Sequence, residues 1–163
     1  MTAIMVVVPL AGDLRYKNWT MNLLKDKIAL VTGAGSGIGK AIAERFALEG
    51  AKLMLADLHQ ENMEAVARAI TDKGGRASCF AVDIAVPADV ELLIGQTVRT
   101  YGTLDILVNN AGIMDDFSPA AEVSNDLWTS VMGTNLNGPF FTCRNALKLF
   151  LLTWTSQNQR GKS

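Results

Sequence analysis

A single histidine, two cysteines and a near balance of charge close off much functional chemistry in this chain of 163 residues. With His59 alone, neither a histidine-based zinc cluster nor a Ser-His-Asp triad can be assembled. Cys79 and Cys143 have no metal-ligand spacing and form no disulfide framework, so they read as buried free thiols in a reducing compartment, the cytoplasm. The 15 basic and 16 acidic residues are mixed along the sequence, giving a net charge of −1. No basic face advertises nucleic acid, and no acidic tail is present. The apolar stretch AIMVVVPLA near the start lacks the positive charges that precede a signal peptide's apolar segment, and it is too short to span a bilayer. There is no internal repeat, low-complexity tract or interdomain linker. What remains is a chain long enough for one domain with a real core, and by default a soluble protein that handles small molecules.

The most informative segment is Lys27 to Gly39, KIALVTGAGSGIG. Ile28, Ala29, Leu30 and Val31 form an unbroken apolar run, as expected of a parallel strand buried on both faces. Thr32 and Gly33 end it. Gly33, Gly37 and Gly39 permit positive φ or close approach of backbone to ligand, and Ile38, Ile42 and Phe46 then recur at helical spacing. The first N–H groups of such a helix make an anion site. A strand, a glycine turn, a helix and an acidic residue closing the next strand have the order of a mononucleotide-binding βαβ unit. That acidic residue is Asp57, 18 residues after Gly39, close to the roughly 20 expected. The alternative, that Asp57 caps the following helix, stays open at this stage. His59 lies just beyond it, at a solvent-facing helix start.

Beyond the first helix, strand and helix alternate: strand 51–57, helix 61–73, strand 76–82, helix 88–101 and strand 104–109. This alternation predicts a parallel sheet in an α/β fold with right-handed crossovers and helices on both faces. A loop over 112–125 leads, with Ser124 or Asn125 as cap, into a long helix from about Asp126 to Leu152. Gly133 and Gly138-Pro139 predict a kink or local break near Asn135.

The glycine spacing is Thr-Gly-x-x-x-Gly-x-Gly, over Thr32, Gly33, Gly35, Ser36, Gly37, Ile38 and Gly39, and it resembles the short-chain dehydrogenase/reductase family. Three further matches follow in order: Asp83, followed by Ile84, at the end of SCFAVD; Asn109-Asn110-Ala111-Gly112 at the end of LDILVNNAG; and Asn135 within VMGTNLNG. Singly, each has a bland reading: Asp83 as a turn residue, Asn109 and Asn110 as strand-end turn formers, Asn135 as a helix residue with local hydrogen bonds. Together they span Thr32 to Asn135, and the resemblance covers roughly residues 23 to 150. It implies a Rossmann-like, doubly wound sheet of about four strands in the order 3-2-1-4, incomplete relative to the family. It also implies an aspartate, Asp83, beside the adenine, an Asn-Asn-Ala-Gly motif bracing the sheet beside the cofactor, and in Asn135 a member of a proton relay. Asp57, where NADP users tend to carry a basic residue nearby, favours NAD over NADP, because its carboxylate accepts from ribose hydroxyls and repels a 2′-phosphate. The substrate would be a small-molecule alcohol or carbonyl compound, and the helix over Asp126–Leu152 a possible homo-oligomer contact.

The same resemblance exposes a gap. The family's acid/base is a tyrosine with a lysine four residues later, assisted by a serine, since a phenol near pKa 10 serves poorly at neutral pH without a cation beside it. Tyr16 and Tyr101, the two tyrosines, are followed four positions on by Thr20 and Asp105. Catalytic Ser, Tyr and Lys are therefore absent from these positions, and the chain is expected to carry the cofactor-binding part and to be inactive alone. A non-catalytic nucleotide-binding or interaction module is the alternative. Three segments are expected: 1–20 an N-terminal extension without fixed structure, 21–152 an incomplete NAD-binding domain, and 153–163 a polar tail. The fourth strand is expected to be an unpaired sheet edge, which would leave the chain poorly soluble.

Overall fold

The computed structural model describes residues 5–7, 22–115 and 117–160, with backbone alone at 5–7 and 152–160. Strand β1 is Met5–Val7, β2 Ile28–Thr32, β3 Lys52–Asp57, β4 Arg76–Ala81 and β5 Ile106–Asn109; helices α1 (Gly37–Leu48), α2 (Gln60–Thr71) and α3 (Pro87–Tyr101) alternate with the last four strands. The sheet order is β1-β5-β2-β3-β4. Strands β2 to β5 are parallel, and in chain order they are arranged 3-2-1-4, as expected.

Alternation along the strands builds two cores. Ala29 and Val31 of β2, Leu53 and Leu55 of β3, and Ile106 and Val108 of β5 pack with Ala43 of α1 and Met63, Val66 and Ile70 of α2. Leu30, Met54 and Leu107 point to the other face and pack with Val90, Leu93 and Ile94 of α3 and with Ala146 and Phe150 of a later helix. Strands apolar on both faces need helices on both faces, which is why the crossovers fall as they do. The helix ends are set by local chemistry. Pro87 opens α3 and Gly102, at φ +88°, closes it in the left-handed region.

Residues 125–160 form one helical run with a wider turn inside it. Helix α4 (Asn125–Met132) starts at Ser124, whose Oγ accepts from the Leu127 N–H at 3.1 Å. A π-turn occupies Gly133–Asn137, where the Gly138 N–H reaches the Gly133 carbonyl, and α5 follows over Gly138–Arg160. Pro139 brings no N–H to the carbonyl of Asn135, and the wider turn absorbs that loss without breaking the helix. The expected kink near Asn135 is thus a π-turn. The expected polar tail at 153–163 is helical backbone as far as Arg160, and 161–163 lie outside the described residues.

Two further expectations change. The fourth parallel strand, β5, is not an open edge, because β1 lies antiparallel against it with Met5 opposite Asn109, Val6 opposite Val108 and Val7 opposite Leu107. The physical basis for poor solubility through that edge is removed. Within the stretch expected to lack fixed structure, Met5–Val7 is a strand; residues 1–4 and 8–21, Tyr16 and Thr20 included, lie outside the described residues. Cys79 and Cys143 are free, as read from the sequence, but half-buried rather than buried. Burial pushes both thiols up from their ordinary pKa.

One acidic residue fastens the N-terminal side of the domain. Glu49 is buried at the end of α1, and its Oε2 accepts from the N–H groups of Asn22 at 3.0 Å and Leu23 at 3.2 Å. Those two bonds, helped by Arg45 and opposed by desolvation, hold the carboxyl below the ordinary value of 4.5. A folded-state pKa below the unfolded one stabilises fully above 4.5 and is lost as pH falls through the folded value. Glu49→Gln is therefore expected to be less stable than the parent at neutral pH and to converge with it in acid. Urea denaturation at a series of pH values checks this, and a constant gap between the two proteins would contradict it.

Candidate functional site

At the carboxyl ends of β2, β3 and β5 the chain forms a cleft of about 350 Å³, bordered by Gly33, Gly37, Asp57, Asp83, Asn110 and Thr134 among others. In open parallel sheets this is the end where ligands bind. A larger hollow of about 470 Å³ opens at the other end of the strands, between Asn22, Lys52 and Arg76. The C-terminal turns of α1 and α2 border it, and their carbonyl ends disfavour phosphate.

The cleft is built around Thr32. Its hydroxyl oxygen is fully buried and accepts from the N–H groups of Asn110 at 3.0 Å and Ala111 at 3.1 Å, while the Asn110 Nδ2 donates back to the carbonyls of Thr32 and Gly33, each at 3.1 Å. Four hydrogen bonds thus lock the end of β2 to the end of β5. Burial makes each of them expensive to lose, about 1–3 kcal/mol for a donor left unpaired.

Glycine is required where backbone meets backbone. A Cβ on Gly39 would stand 2.0 Å from the Gly33 carbonyl oxygen, and one on Gly33, at φ +62°, would stand 2.8 Å from the Ala111 Cα. Gly37, at φ +52°, is different, since a Cβ there meets nothing within 4 Å. The glycine turn therefore packs tightly on its inner side and is open on its outer side. Ser36 precedes α1 in extended conformation, and its side chain makes no capping bond to the helix. The first N–H groups of α1 are left for a ligand, with the helix dipole behind them.

Asp57 stands across the cleft. Its Oδ2 accepts from the Gly35 N–H at 3.0 Å and its Oδ1 from the His59 N–H at 3.1 Å. His59 is the residue before α2, so Asp57 shapes the approach to that helix. Each carboxylate oxygen keeps a second lone pair for a hydroxyl. Asp83 likewise serves its own turn, accepting from the Ala85 N–H at 2.9 Å, and it borders the cleft with Ile84.

Of the residues singled out from sequence, Gly33, Ser36, Gly37, Ile38, Asp57, Asp83, Ile84, Asn110, Ala111 and Gly112 all border the cleft. Thr32, Gly35 and Gly39 support it from behind. Asn109 turns away: its Oδ1 accepts from the Thr142 hydroxyl at 2.6 Å and its Nδ2 donates to the Cys143 sulfur at 3.2 Å, tying β5 to α5. The signal for this was available, because adjacent strand residues point to opposite faces. Asn135, on the π-turn, grips the loop after β5 at two points, with Oδ1 accepting from the Ile113 N–H at 2.9 Å and Nδ2 donating to the Ile113 carbonyl at 2.8 Å. Leu58, His59, Ile113 and Thr134 also border the cleft and were not picked out. Leu58 and Ile113 are exposed apolar side chains that directly follow Asp57 and the Asn109–Gly112 motif.

Tyr101 cannot replace an acid/base here. Its hydroxyl lies 2.8 Å from the Leu53 carbonyl and 2.9 Å from the Ser78 hydroxyl, and burial pushes its pKa up rather than down. Among the described residues no cluster of His, Cys, Asp or Glu could hold a metal, and no helix is long and apolar enough to cross a membrane.

Comparison with known proteins agrees with this geometry. The family model for short chain dehydrogenase matches residues 27–162. The protein 3beta-hydroxysteroid dehydrogenase 2 of Eggerthella lenta is 39% identical over 129 residues, 79% of this chain and 50% of that protein. The structure of a metagenomic short-chain oxidoreductase in complex with NADP aligns with a TM-score of 0.77 and 30% identity, over 80% of this chain and 59% of that one. That of 3-ketoacyl-(acyl-carrier-protein) reductase from Brucella melitensis, complexed with NADH, gives 0.73 and 37%, over 77% and 50%. The chain spans about half the length of the curated relatives it matches. With most of its residues under the family model and the sheet order and glycine turn in place, the chain belongs to the short-chain dehydrogenase family.

Proposed function

We propose that this chain is the NAD-binding part of an oxidoreductase that moves hydride between a nicotinamide and the alcohol or carbonyl group of a small molecule. The observation that carries this reading is the shared cleft: an uncapped helix start, an open glycine and the Asp57 carboxylate face one space, braced from behind by Thr32 and Asn110. The residues fit a dinucleotide. The N–H groups at the start of α1 suit the pyrophosphate, Asp57 the adenosine ribose, Asp83 and Ile84 the adenine, and Asn110 to Gly112 the nicotinamide end. When bound, the nicotinamide supplies the hydride donor or acceptor. Relatives are found with NADP and with NADH, so the preference for NAD rests on Asp57 and on the want of a basic residue beside it, where Leu58 and His59 follow.

Asn135 is the one catalytic-site residue of the family's set in these 163 positions, and its role here is to fix the loop that carries Ile113. The tyrosine and the lysine four residues later have no match among these positions. Neither nucleic acid nor a membrane enters this reading, and the two unpaired thiols support a cytoplasmic setting. A second reading, an interaction module acting through the helix over Asp126–Leu152, is favoured by the exposure of Leu136, Phe140 and Leu147 there. A homo-oligomer contact on that face is compatible with both readings. Titrating the purified chain with NADH and assaying alcohol oxidation separates them: we expect saturable binding without turnover. No NADH binding would leave the interaction module.

A further inference from the structure

The two lips of the cleft are held in different ways. At one, Asp83 braces its own turn by accepting from the Ala85 N–H at 2.9 Å. At the other, beyond Asn110 to Gly112, Ile113 is held at both its N–H and its carbonyl by Asn135, 22 residues further along the chain. Asn135 is exposed, so water competes for both bonds, and they persist only where the backbone delivers the side chain to the loop already aimed. The winding of the π-turn and the rotational phase of α5 behind it do the aiming.

That phase is fixed by one buried amide. Asn109, at the end of β5 and 1% exposed, accepts from the Thr142 hydroxyl at 2.6 Å and donates to the Cys143 sulfur at 3.2 Å. Consecutive helix residues point about 100° apart, so a grip on both admits one rotation of α5 about its axis. The Thr142 hydroxyl oxygen also lies 3.1 Å from the Gly138 carbonyl and 3.0 Å from the Pro139 carbonyl, where the wider turn gives way to α5. Gly138 is the pivot, since a Cβ there would stand 2.6 Å from the Ile84 Cδ1.

We propose that Thr142 is a positioning residue for the nicotinamide lip: its bond to Asn109 sets the phase of α5, and through the π-turn that phase keeps Asn135 on Ile113. The proposal rests on the reading of the cleft as a dinucleotide site. Thr142 itself is fully buried and does not border the cleft. Without its hydroxyl the Asn109 Oδ1 loses its donor, and only the weak contact to the thiol is left to hold the helix. The loop is then in place for a smaller fraction of the time, and a ligand that uses it loses affinity by that fraction.

Thr142→Val keeps the shape of the side chain and deletes the hydroxyl, Thr142→Ala deletes it without filling the space, and Thr142→Ser restores it. Circular dichroism verifies that each keeps its helices. Amide hydrogen exchange at Ile113 reads the loop, and calorimetric titration with NADH and with ADP-ribose, which lacks the nicotinamide, reads the ligand. In the valine and alanine forms exchange at Ile113 is expected to be faster by about tenfold. NADH should bind these forms about tenfold more weakly and ADP-ribose within about twofold of the parent, while the serine form matches the parent throughout. Unchanged exchange at Ile113 in both hydroxyl-free forms, equal weakening of NADH and ADP-ribose, or a serine form that behaves like valine overturns the role of Thr142. So does loss of the helices in both hydroxyl-free forms, which would make Thr142 a general core residue. A parent that binds neither compound is a different failure: it overturns the reading of the cleft on which the proposal rests.

Discussion

Replacing Asp57 with alanine is expected to weaken NADH binding by about 10- to 100-fold, the equivalent of one or two hydrogen bonds to a charged acceptor. Joined with Leu58→Arg, it should turn the preference toward NADPH. The carboxylate is held in place by the N–H groups of Gly35 and His59, so both of its oxygens are oriented before any ligand arrives. Removing it deletes the acceptor for the ribose hydroxyls and the charge that repels a 2′-phosphate. Leu58 is 60% exposed at the same lip of the cleft, so an arginine there meets solvent rather than core. The His59 N–H released by it is exposed and can turn to water, while the N–H of buried Gly35 loses its acceptor, so a modest loss of stability accompanies the change. Fluorescence titration with both nucleotides gives the ratio of affinities. A ratio that does not move removes Asp57 from the site.

The second large effect separates two glycines only two positions apart. Gly39→Ala is expected to cost on the order of 3 kcal/mol or more in stability, because its Cβ would fall 2.0 Å from the Gly33 carbonyl oxygen and 2.5 Å from the Asn110 Nδ2. Neither neighbour can retreat. Gly33 is pinned by the turn and Asn110 by its bonds to Thr32 and Gly33, so α1 must move off the sheet and the cleft opens with it. Gly37→Ala meets no atom within 4 Å and faces only the strain of φ +52°, about 1 kcal/mol. It should fold, and lose NADH binding through the bulk it places on the outer side of the turn. Thermal melts and NADH titration of the two variants test the distinction. Equal stability for both would mean that Gly39 is not a packing position.

What sequence made legible here was local. The apolar run of β2, the glycine turn and the amphipathic helices each depend on a few adjacent residues, and the alternation of strand and helix leaves little freedom in topology. Asp57 is legible from its place at the end of the second strand, and Asn110 from the Asn-Asn-Ala-Gly match to the family. The Thr32 hub was harder, since its partners lie far along the chain and its role appears only when β2 and β5 are side by side. The π-turn follows from Pro139, but its effect, turning Asn135 toward Ile113, depends on the wider winding around it. Strand β1 was beyond reach: three apolar residues in a stretch with no periodic pattern gain a partner only because the edge of β5 exists to receive them.

The account stands most directly on where a dinucleotide sits. Amide hydrogen exchange of the chain with and without saturating NADH, read residue by residue, locates it. The prediction is slowed exchange at Gly37 to Gly39, around Asp83 to Ala85 and at Asn110 to Ile113, with the hollow between Asn22, Lys52 and Arg76 unaffected. Protection confined to that opposite hollow, or none at the start of α1, would contradict it.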